Sequence, residues 1–242
     1  MVIGKLVVIA AGMSCLLLAA DEAGQKTGVT KTERMDFPAG GVLHVKHSIG
    51  ELTVEGWDQP GMEITTIKSP RLAYDSQWRE KASHKRELDE THVTAERHEN
   101  EVAVTTTLPH RSFLPPWPLR GGRGVGLDYQ IKIPRNARLV VEHGSGEVHV
   151  EGLTGDLHVT VRRGEITVRV PQEGEYAIDA RSSLGDIVSD FPGSAHRRPW
   201  LFAHRFAGEA SASAHKVYLR TSFGDIIILK IRQPAEPAAQ GR

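Results

Sequence analysis

The run Gly146-Glu147-Val148-His149-Val150-Glu151-Gly152, followed by Gly155-Asp156-Leu157 and Gly164-Glu165-Ile166, decides the fold. Each glycine–acid pair is a turn signal. Each leads into alternating apolar and polar residues, the period of a strand with one buried face. The same device recurs at Gly50-Glu51, Gly185-Asp186 and Gly224-Asp225, ahead of Leu52/Val54, Ile187 and Ile226/Ile228. Between glycines 146, 164, 185 and 224 the steps are 18, 21 and 39, the last close to two such steps. A near-constant period with one turn signal per unit marks a stacked repeat. Gly155 lies midway between Gly146 and Gly164, so a unit holds two strands: strand, glycine–acid turn, strand, looser turn.

The expected fold is therefore all-β, a β-solenoid of 18–21-residue coils. A single coil cannot bury its apolar side and needs a neighbour above and below. Glycine supplies a positive φ at the turn without steric cost, and the acid after it can accept backbone N–H groups. A β-sandwich of meandering hairpins would use the same turns and is the alternative.

The chain has 242 residues with 30 Lys+Arg against 30 Asp+Glu, which leaves no electrostatic footprint for nucleic acid. Its first twenty residues differ in kind. Lys5 is followed by the almost wholly apolar Leu6 to Ala20, then by Asp21 and Glu22. That run is short for a membrane span and suits a secretory signal cleaved near Ala20. A lipoprotein cut before Cys15, the only cysteine, is the lesser reading. Either way no disulfide, zinc–thiolate site or cysteine nucleophile is available to the exported body. Export without disulfides suits a bacterial periplasm or surface.

The expected layout is a flexible leader over 21–34, one repeat domain over 35–232 and a disordered tail over 233–242. Three insertions interrupt the domain. Residues 72–91 carry a short charged helix over about Gln77–Leu88. Residues 109–126 are rich in proline and aromatics, and 192–215 include Pro199-Trp200-Leu201-Phe202. His92–Arg97 and Val102–Thr107 read as a hairpin.

Three stretches together resemble a known family. They are Gly50-Glu51-Leu52-Thr53-Val54-Glu55-Gly56-Trp57, then Asp128-Tyr129-Gln130-Ile131-Lys132-Ile133-Pro134-Arg135-Asn136-Ala137, then the run from Gly146 to Ile166. They are similar to the bacterial exported proteins named "putative adhesins", a domain of unknown function numbered 4097 with G-[DE]-[VIL] repeats. The resemblance covers about residues 35–232 and implies a β-solenoid of the periplasm or cell surface with no established enzymatic activity. The proline–aromatic loop at 109–119 and the insertion at 192–215 are longer than the pattern needs and inherit no role.

Candidate sites follow from the repeat. Glu147, Glu165, Asp186 and Asp225 share one repeat position and could stack, with Lys46, Arg181 and Arg220 four residues before a repeat glycine as offsetting cations. Turn chemistry accounts for these acids better than calcium, since the G-G-x-G-x-D core of calcium β-rolls is missing. His149 and His158, nine apart, should both reach solvent, with His143 nearby, but no third ligand fixes a metal geometry. No metal and no cofactor are expected. Gly144-Ser145-Gly146 is not a G-x-S-x-G elbow, and Walker and H-E-x-x-H motifs do not occur. The loop residues Phe113, Leu114, Trp117 and Leu119 are the candidate partner contact, or else a plug over the core.

The function expected is a non-enzymatic surface for an envelope polysaccharide or another envelope protein, of unstated oligomeric state. One alternative is a polysaccharide lyase or hydrolase using Asp186, Asp190 and Asp225 with Arg181 and Arg220. Another is an envelope-stress sensor or regulatory partner.

Overall fold

The computed structural model describes residues 29–70, 89–108, 125–198, 203–208, 211 and 214–232. They form seventeen strands: β1 Val29–Met35, β2 Val42–Ile49, β3 Glu51–Trp57, β4 Met62–Pro70, β5 His92–His98, β6 Glu101–Thr107, β7 Val125–Pro134, β8 Arg138–Ser145, β9 Val148–Glu151, β10 Leu157–Arg163, β11 Ile166–Pro171, β12 Tyr176–Leu184, β13 Ile187–Ser189, β14 Gly193–Arg198, β15 Ala203–Gly208, β16 His215–Phe223 and β17 Ile226–Ile231.

Two sheets result. One runs β1-β4-β7-β3-β9-β11-β17-β13, the other β14-β15-β12-β16-β10-β8-β2-β6-β5. We call them the eight-stranded and nine-stranded sheets. The turns at Gly50, Gly146, Gly164, Gly185 and Gly224 carry the chain from the nine-stranded sheet to the eight-stranded one, as in β8 to β9 and β10 to β11, while the turn at Gly155-Asp156 returns it from β9 to β10. Neighbouring units pair in parallel and in register, for example Ile166 with both Val148 and Ile226. The fold is all-β and solenoid-like. Antiparallel pairing is confined to the two ends, where β5, β4 and β1 close one side and β15 and β14 the other. The meandering-hairpin alternative fails, because the repeat strands find their partners in other units.

Parallel register stacks like on like. In the nine-stranded sheet Leu43, Leu139, Leu157, Val217 and Ile178 form one buried row. Leu52, Val148, Ile166 and Ile226 form its counterpart in the other sheet. Each fully buried aliphatic contributes about 1.5–3 kcal/mol, so these rows drive the stacking.

Two expectations need correction. The step of 39 is not two sequential units: the last coil, β16–β17, lies between β10–β11 and β12–β13 in both sheets. Its inward residues Val217, Leu219, Ile226 and Ile228 are buried on both sides, which suits an interior coil. The leader expected over 21–34 is strand from Val29 onward. β1 is largely exposed, hence free of an apolar period, and is held by its ladder to β4 and by pairs such as Arg34–Glu63 at 2.6 Å. The 192–215 insertion contributes the β14–β15 hairpin that covers β12. The signal segment with Cys15, the Gln77–Leu88 helix, the loop residues Phe113, Leu114, Trp117 and Leu119, the Pro199–Phe202 stretch and the tail over 233–242 lie outside the described residues.

Candidate functional site

The glycines of the repeat form one continuous backbone edge. Gly50, Gly146, Gly164, Gly224 and Gly185 have φ of 94°, 130°, 138°, 140° and 146°. They also touch in series. A Cβ on Gly146 would stand 1.8 Å from the carbonyl oxygen of Gly50, one on Gly164 1.7 Å from that of Gly146, and one on Gly224 2.1 Å from that of Gly164. Glycine is required twice over, by backbone conformation and by coil spacing. Gly155 belongs to the opposite edge, where a Cβ would stand 2.1 Å from the Ala137 carbonyl oxygen.

The acids that follow these glycines are not a carboxylate ladder. Asp225 Oδ1 accepts the Asp186 N–H at 2.7 Å, while Asp186 pairs with His204 at 3.0 Å. Glu165 accepts from the Thr167 hydroxyl at 2.9 Å, Glu147 lies 3.4 Å from His149, and Glu51 faces solvent. Asp156 accepts the Lys216 N–H at 2.9 Å and pairs with Arg138 at 3.3 Å, which ties three coils together at the opposite edge. No group of three or more potential ligands that could hold a metal occurs among the described residues.

Three residues before each ladder glycine, the inward side chain is polar in most coils. Ser182 Oγ donates to the Gly224 carbonyl at 2.8 Å and Thr221 Oγ1 to that of Gly164 at 3.2 Å. In the first coils this role passes to Ser48 and His143, joined by a 2.7 Å hydrogen bond in the buried interior. Burial pushes the His143 imidazole down to about 4, opposed in part by the carbonyls of Gly50 and Ser145. At the end of the row Thr106 and Tyr129 share a 2.8 Å bond across the two sheets, and burial raises the Tyr129 phenol to about 12. This inner polar row was missed in the sequence; its signal is a hydroxyl or imidazole repeated at one offset from the glycine.

The histidines separate. His149 is on the outside of the eight-stranded sheet, His158 on the outside of the nine-stranded sheet, and His143 between them. Both were expected to reach solvent, and both side chains point outward. A turn that carries the chain from one sheet to the other puts them on opposite faces, so they cannot share an ion.

The outer face of the nine-stranded sheet gathers the charged groups. Strand register aligns Lys46, Glu142, Thr160, Arg220, Arg181, Arg205 and His196 in one straight row. Beside it runs His44, Val140, His158, Tyr218 and Asp179. Asp179 meets Arg220 at 2.9 Å, Arg181 at 3.4 Å and Arg205 at 3.4 Å. Burial raises its carboxyl, but the Arg220 hydrogen bond and the three guanidinium charges outweigh this and hold its pKa below the usual value. Arg220 is the most fixed of the three: it donates to the carbonyls of Asp179 and Leu219 and lies 3.5 Å over the Tyr218 ring. His158 packs against Tyr218 with ring centroids 4.5 Å apart. An open groove of about 630 Å³ runs over this face, bordered by Arg138, Asp156, His158, Asp179, Lys216 and Tyr218.

The set offered for polysaccharide cleavage does not converge. Arg181 and Arg220 face out from mid-strand. Asp186 and Asp225 sit at the glycine edge, on the order of 15 Å along the strand, and Asp190 accepts the Lys230 N–H at 3.2 Å. Nor do Lys46, Arg181 and Arg220 neutralise the turn acids; the two arginines serve Asp179 instead.

The two-sheet stack and its glycine edge belong with one domain class. The chain is a member of the Toastrack DUF4097 family, whose match spans residues 43–229. Similar solved structures include a "putative cell adhesion protein" from Clostridium sporogenes, at 12% identity and TM-score 0.48, with 84% of this chain and all of that one covered. A "putative adhesin" from Bacteroides fragilis has 9% identity and TM-score 0.32, with coverages of 83% and 97%. Another from Parabacteroides merdae has 10% identity and TM-score 0.24, with coverages of 82% and 80%. No curated protein matches the sequence.

Proposed function

We propose that this Toastrack chain is an exported, non-enzymatic β-solenoid that presents a binding or scaffolding surface in the bacterial envelope. The observation that supports this best is the outer face of the nine-stranded sheet. There, in-register coils hold charged and aromatic side chains in straight rows along an open groove. Such a surface suits an extended ligand, whereas catalysis needs groups converging on one reacting atom. The acids and arginines that could have done so point to different places. No helix among the described residues is long and apolar enough to cross a membrane, and the apolar N-terminal run supports export by a signal sequence.

The test incubates purified protein with a panel of envelope and host polysaccharides, measuring both retained protein and newly released reducing or unsaturated ends. Retention without released ends is the expected result. Released ends would replace this reading with an enzyme, and silence on both counts would move the contact to a protein partner. Fractionation of expressing cells checks the location: an intact Met1 in abundant cytoplasmic protein would refute export.

A further inference from the structure

We infer that Arg181, Arg205 and Arg220 form a subsite for the anionic groups of an acidic polysaccharide, with His158 and Tyr218 beside it as the surface for the sugar rings. This rests on the binding-module reading above and names its ligand class.

The three arginines stand directly opposite one another on β16, β12 and β15. Like charges opposed across strands destabilise a sheet, and a local rule broken this way is a mark of function. Asp179 is the one carboxylate paired with them among the described residues, so three guanidiniums share a single negative charge. Two positive charges therefore stay uncompensated. They are also reachable: the Arg181 and Arg205 side chains are 48% and 52% exposed, against 16% for Arg220. His196, exposed and opposite Arg205, extends the row by one more potential cation.

The division of labour is readable. Arg220, held by two carbonyls, Asp179 and the Tyr218 ring, is preorganised and cannot swing away. Arg181 and Arg205 are tied only through 3.4 Å contacts to Asp179 and keep donors free for a carboxylate or sulfate oxygen. Strand spacing puts the outer two of the three about 10 Å apart, comparable with the repeat of a disaccharide. The groove begins beside the arginines at Asp179 and runs past Tyr218 and His158 to Arg138, so a chain crossing the strands would meet cations at both ends and rings between them. A linear ligand fits this better than a compact one, because the site is an open trough. Nucleic acid is disfavoured by a net charge of zero over the chain.

The test measures binding of the purified chain to heparin as the sulfated probe, polygalacturonate as the carboxylated one, neutral dextran, and single-stranded DNA. R181Q/R205Q is compared with wild type, with K31Q/R34Q, at two exposed sites on β1, as the charge-matched control. Circular dichroism and melting confirm that every variant folds. The expected result is binding to at least one acidic glycan but not dextran. R181Q/R205Q should weaken that binding by about 100-fold, roughly tenfold per guanidinium. It should also flatten the dependence of affinity on salt, as fewer counterions are released. D179N, which removes the internal counter-charge, should bind more tightly than wild type, a gain that a purely structural role for Asp179 would not produce. Equal losses in R181Q/R205Q and K31Q/R34Q would overturn the subsite while leaving a binding module intact. Retention of DNA as strong as of the glycans would overturn the ligand class. Retention of dextran alone would refute the anionic subsite, and no retention of any probe would refute it together with the glycan part of the functional reading.

Discussion

Replacing Gly164 by alanine attacks the stack at its centre, and the structure sets the size of the effect. The new Cβ would stand 1.7 Å from the Gly146 carbonyl oxygen, so the two coils would have to part by more than 1 Å. Two backbone bonds cross this seam beside it: Gly146 N–H to the Arg163 carbonyl and Val148 N–H to the Glu165 carbonyl, each 2.9 Å. An opening of that size breaks both, at a net cost of about 1 kcal/mol each. The φ of 138° adds about 1–3 kcal/mol for a residue with a side chain. The sum is about 3–5 kcal/mol, or a fall in Tm of roughly 6–20 °C for a domain of this size. Two controls separate the contributions. At Gly40 φ is 71° but nothing lies within 4 Å of a Cβ, so alanine there should cost only about 1–2 kcal/mol. At Gly144 the nearest atoms are 3.4 Å away and φ is ordinary, so alanine should change stability by less than about 0.5 kcal/mol. Urea denaturation followed by circular dichroism gives all three values. A Gly164→Ala chain no less stable than Gly40→Ala would refute the claim that the glycine edge sets coil spacing.

Other perturbations probe the interior. Ser182→Ala leaves the Gly224 carbonyl without its inner donor and should cost about 1 kcal/mol in the same assay; no loss would mean water replaces the hydroxyl. Leu157→Ala empties a fully buried place in a central row and should cost about 2–5 kcal/mol, whereas Leu184→Ala, 47% exposed, should cost little; similar values for the two would contradict the core assignment. His143 takes its proton at about pH 4 when folded and near 6.5 when unfolded, so the unfolded chain binds more protons between those values. Stability should thus fall as pH drops from 6.5 towards 4, by up to about 3 kcal/mol for this group, and the slope should flatten in His143→Gln. A His143 ring that titrates near 6.5 by NMR would refute its burial.

What could be read from the sequence was local. The glycine–acid turns and the strands after them are set by neighbouring residues, so the all-β coil and the turn positions were accessible. Coil order was not. The step from Gly185 to Gly224 looks like two units of one period, and nothing local says that β16 enters between β10 and β12. That His149 and His158 point outward was legible from strand alternation, but that they do so on opposite faces was not, because the turn between them changes sheets. Arg181 and Arg220 were visible at a repeat position, but their partner Arg205 lies on a hairpin outside the repeat, and only pairing with β12 brings it alongside. Ser48 and His143 were hidden by an irregularity in β2, where the register shifts on either side of Ser48.

The position of the β16–β17 coil reaches beyond architecture into the order of assembly. In an ordinary repeat array each unit docks on the one made just before it, and trimming the chain end removes only an outer layer. Here β12–β13 emerges earlier yet has, apart from the β14–β15 hairpin at its outer edge, no coil to pack on until the last strands arrive. A chain emerging N-terminus first would therefore leave the β16 side of Ile178 and Ala180 uncovered until residues 215–231 slot in and complete the stack. Truncation at His215 should then leave two disconnected blocks, not a shortened version of the same fold. Non-local closure of this kind also makes for slow folding, which would suit the export proposed above.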